Sequence, residues 1–403
     1  MIKQINILGI PFLYKNTPDQ TIIQVGGLPL FSRVKTENAC LKAESAQKKK
    51  AVLPIKRLSN KEIRIAIQFK GGFGDQLICC NYTKALRDKL KDNSLLIDVY
   101  CRDFIGELFL QEEKFVNSFS KEQNFDPEDG RYDLYIRLDR FPVILKSNDK
   151  IIQKNALLFK YVLLCRNFKE NNKQFFTGRS EFDSILNIYT LIKGQKRCNQ
   201  IDIDGFLGMD DQFKYEPQLP QSSVLEKYGL KNKKYITLHR GVDSSRTKDS
   251  NKLWPISYYN ELISLIKKRF PDIILVQIGV NTDRCPPMEK IDVNLVGKTT
   301  MTDVAHILKN SALHIDGEGG MVHIRHAVSG GKSVVFFGPT SIDFYGYNEN
   351  INLCAHACPH WCEHIKEKWD EGCIISGKEP LCMAKILPSD VFKKITNCLK
   401  DEN

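Results

Sequence analysis

The sequence has no apolar run that approaches the roughly 20 residues needed for a membrane-spanning helix. Its first residues, MIKQINILGIPFLYKN, are apolar but short, and they contain Pro11 and no small-residue cleavage site. That pattern predicts no signal peptide. We therefore expect a cytoplasmic protein, which includes the option of peripheral association with the inner membrane face.

Internal repeats, low-complexity tracts and a helix-turn-helix signature are also absent, although the net charge is +11. Without a base-stacking or helix-turn-helix signature, the charge gives little support for a nucleic-acid partner, and none is predicted. Two other interpretations remain open. The charge reflects either a lysine-rich solvated surface or attraction to an anionic membrane face or a phosphorylated glycolipid.

Strand and helix patterns divide the 403 residues into four parts. Residues 1–60 carry short β-like runs between turn signals, which predicts a small β-rich extension. Residues 61–197 and 234–403 each alternate apolar strands with helices, which predicts a parallel, helix-covered sheet. The polar stretch 198–233 is predicted to be a linker. The expected fold class is α/β, with two doubly wound, Rossmann-like domains whose strand ends border a ligand-binding cleft.

The first glycine-rich turn, residues 71–74, lacks both the G-x-G-x-x-G fingerprint and the Lys-Ser/Thr of a P-loop. It lies between a predicted strand and a predicted helix, where glycine lets a ligand approach the backbone. Asp75 follows the turn, and two interpretations of it remain open. It caps the helix, or it is a general base that takes the proton of an attacking sugar hydroxyl.

A second glycine-rich turn, residues 316–323, ends a predicted strand and opens a predicted helix. Backbone N–H groups and the helix dipole at such a turn suit a pyrophosphate, which Gly319 and Gly320 would allow to approach. His323 lies one turn into the helix and could reach the same group, whereas Glu318 could accept hydrogen bonds from ribose hydroxyls. A buried structural histidine is the alternative for His323.

Basic residues follow the first strand of the second predicted sheet, in the loop 240–255. Arg240 and Lys252 could neutralise a departing nucleoside diphosphate, which is the main electrostatic task when a glycosyl–phosphate bond breaks without a metal. A solvated basic loop is the alternative for Lys252. No Asp-x-Asp donor motif stands in a suitable loop, so no catalytic metal is predicted.

The 13 cysteines are unevenly distributed, with a cluster near the C-terminal end of the sequence. Cys358, Cys362, Cys373 and Cys382 have the spacing C-x3-C-x10-C-x8-C. Four thiolates in a loop-rich segment can form a tetrahedral structural site for zinc or iron. A set of reduced, partly buried thiols is the alternative.

Four pieces of the chain, in order over residues 61–403, resemble the family 9 glycosyltransferases, the heptosyltransferases that use ADP-heptose. They are Gly74-Asp75, Lys252-Leu253-Trp254-Pro255, residues 316–323 and Phe336-Phe337-Gly338-Pro339-Thr340. The resemblance implies the GT-B fold, with the acceptor on the N-terminal lobe and the nucleotide sugar on the C-terminal lobe.

The same resemblance implies roles for individual residues. Asp75 corresponds to the general base of the family and Lys252 to its donor-phosphate lysine. The phosphate-binding helix start corresponds to Gly320, Met321 and His323. Thr340 closes the following strand at the same sheet edge and is counted with the donor-binding residues.

The cysteine segment and the N-terminal extension resemble one branch of this family, the autotransporter heptosyltransferases, which glycosylate protein and bind iron through such cysteines. Here Glu318-Gly319-Gly320 replaces the commoner Ser-Gly-Pro type of sequence, a difference that bears on the substrate more than on the reaction.

The resulting hypothesis is inverting transfer of a heptose-like sugar from a nucleoside diphosphate, with ADP-heptose as the implied donor. Two acceptors fit: a glycolipid of the lipopolysaccharide core, or a protein hydroxyl. The alternative from another class is a non-catalytic nucleotide-sugar-binding or scaffold protein of the same fold, which would not need Asp75.

Overall fold

A computed structural model describes the chain in two compact units, Met1–Leu53 and Pro54–Asn403. In the first unit it describes the backbone of four strands. From residue 62 onward it describes all residues except 112–113, 177–182, 212–213, 215, 242–249, 280–284, 356, 358–360, 365–370, 378–379 and 401–403.

The first unit is an antiparallel sheet with the strand order β1-β2-β3-β4. Its strands are β1 (Ile2–Ile7), β2 (Ile10–Asn16), β3 (Gln20–Val25) and β4 (Leu28–Val34). The predicted β-rich extension is therefore present. The β1 strand ends at Ile7, which pairs with Ile10 at the start of β2.

The second unit contains two sheets, and the first has the strand order β7-β6-β5-β8-β9. The central strand is buried along nearly its whole length, as expected for a strand covered on both faces. Its elements, with the helices that follow, are β5 (Ile63–Phe69), α1 (Phe73–Leu90), β6 (Leu95–Cys101), α2 (Asp103–Phe109), β7 (Ser118–Lys121), β8 (Leu134–Leu138), β9 (Pro142–Ser147), α3 (Asp149–Ile152), α4 (Ala156–Asn171) and α5 (Asp183–Ile192).

One strand of this sheet departs from the predicted parallel arrangement. The β9 strand pairs with β8 in the antiparallel direction, whereas the other neighbours in the sheet are parallel. Only residues 139–141 separate β8 from β9, and a parallel pair needs a crossover of roughly a dozen residues or more. The short connection therefore forces a hairpin.

The second sheet has the order β12-β11-β10-β13-β14-β15, and all its neighbouring strands are parallel, as predicted. Its elements are α6 (Val224–Lys227), β10 (Tyr235–Leu238), α7 (Ile256–Arg269), β11 (Ile274–Gln277), β12 (Val293–Asn294), α8 (Met301–Asn310), β13 (Leu313–Gly317), α9 (Gly320–Ala327), β14 (Ser333–Phe336), α10 (Ile342–Tyr345), β15 (Ile351–Leu353), α11 (Leu381–Ala384) and α12 (Pro388–Lys400).

The largest apolar core joins the two sheets of this unit. It runs from the strands around β5 to the inner sides of α8 and α9. Residues from the stretch predicted as a linker contribute to it, including Ile201, Ile203 and Leu207. Asp202 is also fully buried there, and its carboxylate accepts hydrogen bonds from the backbone N–H groups of Leu207 and Met209. The limits 61–197, 198–233 and 234–403 remain predictions.

The two-sheet α/β class predicted from the sequence is confirmed. Among the helices that the structure describes, none is both long enough and apolar enough to cross a membrane.

Candidate active site

The starts of two helices meet between the sheets of the second unit. The α1 helix begins just after β5, and α9 begins just after β13. A Cβ placed on Gly74 would lie 2.7 Å from Nε2 of His323, so the imidazole lies directly on this glycine. A Cβ on Gly320 would lie 3.2 Å from the Phe73 ring. The two predicted glycine-rich turns are therefore neighbours, and each leaves room for the other.

The N-cap of α1 is Gly72 and not Asp75, but Asp75 lies in the first turn and its side chain accepts a hydrogen bond from the N-cap backbone. Gly71, which precedes the helix, has a φ of +89°, a conformation that favours glycine. The Gly72 N–H donates to Oδ2 of Asp75 over 2.9 Å. Capping does not exclude the catalytic interpretation, because the Asp75 side chain keeps 30% of its surface exposed.

Arg197 is the second partner of Asp75, and the sequence did not indicate it. Its Nη2 and Nε donate to the same oxygen, Oδ1, over 2.6 and 3.1 Å. Burial raises the pKa of Asp75, but the charges of Arg197 and Arg140 outweigh that effect and hold this pKa well below its usual range. Asp75 is therefore ionised, as a proton acceptor must be.

His323 is nearly buried on the other side of the contact. Its Nδ1 shares a hydrogen bond of 2.6 Å with the Tyr347 hydroxyl, and its Nε2 lies 3.9 Å from Oε1 of Glu318. Burial lowers the pKa of His323 to about 4, although the charges of Glu318 and Asp75 act in the opposite direction. The imidazole is therefore neutral near pH 7.

Lys252 and Glu318 form an ion pair at the edge of the second sheet, with 2.5 Å between Nζ and Oε2. Both side chains are largely buried, at 16% and 10% exposure. Burial raises the pKa of Glu318, but the charge of Lys252 is the main influence that brings it below its usual range, and the hydroxyl of Thr340 adds to that effect. Three predicted donor-binding residues thus lie together.

Packing around Trp254 fixes the position of this lysine. The indole is buried, stacks on Phe336 with 4.3 Å between ring centroids, and donates from Nε1 to the Ile386 carbonyl over 2.9 Å. Arg240 donates from Nε to the Trp254 carbonyl over 2.9 Å. Arg240 is therefore attached to the lysine-bearing loop.

The remaining predicted residues lie at the start of α9. Gly319 precedes the helix, and its carbonyl accepts from the His323 N–H over 3.4 Å. Met321 is 7% exposed and its side chain belongs to the core, so only its backbone is suited to contact a donor. The first N–H groups of a helix have no partner within the helix, which suits an anion.

A buried polar chain supports β13 behind this turn. Nδ1 of His239 lies 2.8 Å from Oδ2 of Asp316, and Nε2 of His314 lies 3.5 Å from the same oxygen. The Gly317 N–H donates to Oδ1 of Asp316 over 2.7 Å. Asp316 therefore holds the backbone just before Glu318.

The space beside His323, to whose lining Glu318, Gly319, Tyr345 and Tyr347 contribute, is too tight to admit a water molecule. Pockets that hold drug-sized ligands measure roughly 300–1,000 Å³. A nucleotide sugar therefore needs space that this cavity alone does not provide.

The predicted cysteine site lies partly outside the described residues, because Cys358 is not among them. Cys362 is buried, and Cys373 and Cys382 are partly exposed. Burial raises the pKa of Cys373, but hydrogen bonds from Ser376 and neighbouring backbone groups lower it to about 7. Within the described part of the chain, no group of three or more metal-ligating side chains is arranged to hold an ion.

Residues 209–371 match the model of glycosyltransferase family 9 (heptosyltransferase). The resemblance to family 9 is confirmed. No curated protein sequence matches the chain significantly. The match covers the residues that carry Lys252, Glu318 and His323, and it supports glycosyl transfer from a nucleotide sugar in general terms.

Solved structures support the same fold. The family 9 glycosyltransferase from Veillonella parvula is 16% identical, with a TM-score of 0.56, 86% of this chain covered and 99% of that one. ADP-heptose lipopolysaccharide heptosyltransferase II from E. coli is 15% identical, with a TM-score of 0.51 and coverage of 84% and 99%. The iron-containing heptosyltransferase TibC from enterotoxigenic E. coli, in complex with ADP-D-β-D-heptose, is 10% identical, with a TM-score of 0.52 and coverage of 98% and 83%. At these identities the likeness shows the fold, and the predicted GT-B type is confirmed.

Proposed function

We propose that this family 9 protein transfers a heptose-like sugar from a nucleoside diphosphate donor, with ADP-heptose as the first candidate, to an acceptor hydroxyl with inversion at the anomeric carbon. One observation carries the proposal: the helix start that bears Asp75 is in direct contact with the helix start that bears His323. An ionised carboxylate and an anion-binding helix start therefore lie on opposite sides of one contact.

The proposed reaction is a single displacement. The acceptor oxygen forms a bond to the anomeric carbon while its proton passes to Asp75. The bond from the anomeric carbon to the diphosphate oxygen breaks, and the diphosphate leaves with the electron pair. Inversion follows because the acceptor attacks from the side opposite to the leaving group.

The leaving diphosphate gains negative charge in this step, and the proposed binding groups meet that charge. They are the Lys252 ammonium, Arg240 and the N–H groups at the start of α9, backed by the helix dipole. Lys252 would exchange part of its pairing with Glu318 for the diphosphate. Glu318 would then be available to sugar or ribose hydroxyls. No divalent metal takes part in this proposal.

A second candidate function is favoured by one observation. Asp75 already accepts three N–H donors, from Gly72 and Arg197, as a purely structural cap would. A non-catalytic nucleotide-sugar-binding protein of the same fold would keep such an aspartate for stability alone.

Asp75→Asn separates the two functions. If Asp75 is the base, we expect turnover to fall by roughly 10²–10⁴-fold, the usual contribution of general base catalysis, while ADP-heptose binding measured by calorimetry is retained. Wild-type protein that binds the donor but transfers nothing to either class of acceptor would favour the binding protein. Transfer by the variant at near wild-type rate would remove Asp75 from the mechanism.

The donor can be tested with thermal shifts in a panel of nucleotide sugars, since a ligand that binds only the folded chain stabilises it. We expect a shift with ADP and ADP-heptose. A shift with uridine or guanosine donors alone would overturn the heptose assignment. Mass spectrometry of lipopolysaccharide core and of candidate proteins, after incubation with the enzyme and the donor, would distinguish the two acceptors. A glycolipid acceptor would imply that the transfer takes place at the inner membrane face.

We also propose that Cys358, Cys362, Cys373 and Cys382 bind a structural zinc or iron ion. The likeness to TibC, which is described as iron-containing, supports a test for iron first. Elemental analysis should find about one ion per chain. Purified protein with neither metal and four alkylatable thiols would rule the site out.

A further inference from the structure

Arg197 is unusual because its charge is almost completely buried beside the proposed base. Its side chain is 3% exposed, whereas that of Asp75 is 30% exposed. A buried cation is expensive unless it is paired and hydrogen-bonded. Here the paired anion is Asp75, the proposed base. Arg197 can therefore influence the group that takes the acceptor proton.

The two carboxylate oxygens of Asp75 accept different numbers of hydrogen bonds. An ionised carboxylate offers about four lone-pair directions, two on each oxygen. Oδ1 accepts two N–H donors from Arg197, and Oδ2 accepts one from the Gly72 backbone. Among the described contacts, only Oδ2 therefore keeps a lone pair for the acceptor proton.

The backbone of Arg197 is attached to the donor-binding half. Its N–H donates to the Phe344 carbonyl on α10 over 2.9 Å. Its Nη1 also lies 3.4 Å from Oε1 of Gln200, whose Nε2 donates to the Thr190 hydroxyl over 2.8 Å. One residue thus connects the proposed base on α1 with an element that follows β14.

We propose that Arg197 is the positioning residue of the proposed base: it fills Oδ1 of Asp75, so that Oδ2 takes the acceptor proton, and it fixes this carboxylate relative to the donor-binding half. The inference rests on the proposed function for the identity of the base.

Three titratable groups besides Arg197 interact electrostatically with Asp75. Arg140, from the loop between β8 and β9, lowers the pKa of Asp75. His323 on α9 is neutral near pH 7, and the charge of Asp75 raises its pKa. The Cys79 thiol on α1 is buried, which raises its pKa, and Asp139 contributes in the same direction. Arg140 and Arg197 are therefore the cations that keep this carboxylate ionised.

Two substitutions separate charge from position. Arg197→Met removes both, so the acid limb of the pH profile of kcat/KM should move upward by roughly 1–3 units, the usual effect of an arginine on a neighbouring aspartate. Arg197→Lys keeps the positive charge but loses the pair of N–H groups that donate to Oδ1 of Asp75. We expect its acid limb to stay near that of the wild type while kcat falls by roughly 10–100-fold, as misplacement of a catalytic group does.

Arg166→Met is the matched control. Arg166 on α4 donates from Nη1 and Nη2 to Asp149 on α3, over 2.9 and 3.0 Å. Replacing Arg166 therefore also removes an arginine–aspartate pair from the same unit. Its pH profile and kcat should match the wild type. For all three variants, donor affinity is measured by calorimetry and stability by thermal melting. Together these measurements identify any general loss of structure.

The decisive outcomes are distinct. An unmoved acid limb in Arg197→Met, or a kcat within twofold of the wild type in Arg197→Lys, would overturn the proposal. If Arg197→Met does not fold, the kcat of Arg197→Lys still decides. Carbon-13 NMR of the Asp75 carboxyl, assigned with Asp75→Asn, measures its pKa without turnover. If the wild type transfers no sugar, the proposed function fails. The link between Arg197 and Asp75 can then still be tested through this NMR measurement.

Discussion

The two helix starts that meet in the site hold their charges in different ways. At α1, Asp75 faces the guanidinium of Arg197, and the charge of Arg140 also acts on it; both groups stay protonated at any accessible pH. At α9, Glu318 faces Lys252 and His323, and the pKa of this histidine is lowered to about 4 by burial. The α1 side is therefore permanently charged, whereas part of the α9 side changes charge with pH.

This difference fits the tasks proposed for each side. A base must be ionised before the acceptor arrives, and a permanent cation ensures that. A donor site must release its diphosphate product. Glu318 competes with that product for the Lys252 ammonium, and this competition favours release. The comparison predicts that substitutions at α9 affect donor binding and pH dependence, whereas substitutions at α1 affect turnover.

On the α9 side, the largest effect is expected for Lys252→Met. Without this ammonium, the leaving diphosphate loses one of its proposed charge partners, and Glu318 is left as a buried charge. We expect kcat/KM to fall by roughly 10²–10³-fold, the usual effect of removing one group that stabilises developing charge, with a weaker affinity for ADP. Steady-state kinetics and calorimetry measure both.

Lys267→Met is the control for that variant. Lys267 pairs with Asp292 at the surface of the second sheet, so its loss removes a lysine–aspartate pair without touching the site. Its kinetics should stay at the wild-type level. If Lys252→Met kept its ADP affinity and lost less than about tenfold in kcat/KM, a donor-phosphate role for Lys252 would be excluded.

A smaller effect concerns stability and pH. The histidine of the unfolded chain takes up a proton near its ordinary pKa of 6.5, but buried His323 does so only near 4. Between these values the unfolded chain binds more protons, so the free energy of unfolding falls as the pH falls through this window, by up to about 3 kcal/mol from this residue. Urea denaturation at a series of pH values measures it.

His323→Gln should remove that contribution and flatten the curve between about pH 6.5 and 4. His314, which is also buried and has a lowered pKa, contributes in the same direction and should leave some residual slope. An unchanged slope in His323→Gln would mean that folded His323 takes up its proton near its ordinary pKa, contrary to the lowered pKa described above.

The sequence predicted the fold where the physical signal was local. Parallel strands covered on both faces appear as apolar runs, as β5, β10 and β13 do, so their alternation with helices predicted the two sheets. Two strands of the sheet around β5 give no such signal. The β7 strand is a largely exposed edge with the polar sequence SFSK, and β9 pairs through a short connection that does not fit a strand–helix alternation.

The site was predictable to the extent that glycine-rich turns mark helix starts. Asp75 directly follows one such turn, and Glu318 and His323 lie within the other. Arg197 does not, since it lies 122 residues from Asp75 in a polar stretch, and no local pattern shows that its side chain turns inward. The Tyr347 hydroxyl on His323 and the pairing of Lys252 with Glu318 also depend on tertiary contacts that periodicity does not encode.

The smallest expected effect tests the contact between the two sides itself. Gly74→Ala adds a methyl group where the His323 ring lies, and overpacking of this kind lowers the free energy of unfolding by roughly 1–3 kcal/mol. Gly72→Ala is the matched stability control, because the nearest heavy atom to its added Cβ is 3.7 Å away. Urea denaturation measures both.

A double-mutant cycle then identifies the partner of that methyl group. His323→Ala removes the ring, so adding Gly74→Ala to it should cost at least about 1 kcal/mol less than in the wild-type background, a coupling expected only for residues in contact. The double variant should also bind ADP-heptose no better than His323→Ala alone, because the added methyl group restores nothing that the imidazole provides. Additive effects within about 0.5 kcal/mol would show that α1 and α9 do not touch in solution, and the proposed site would then exist only after the donor draws its two halves together.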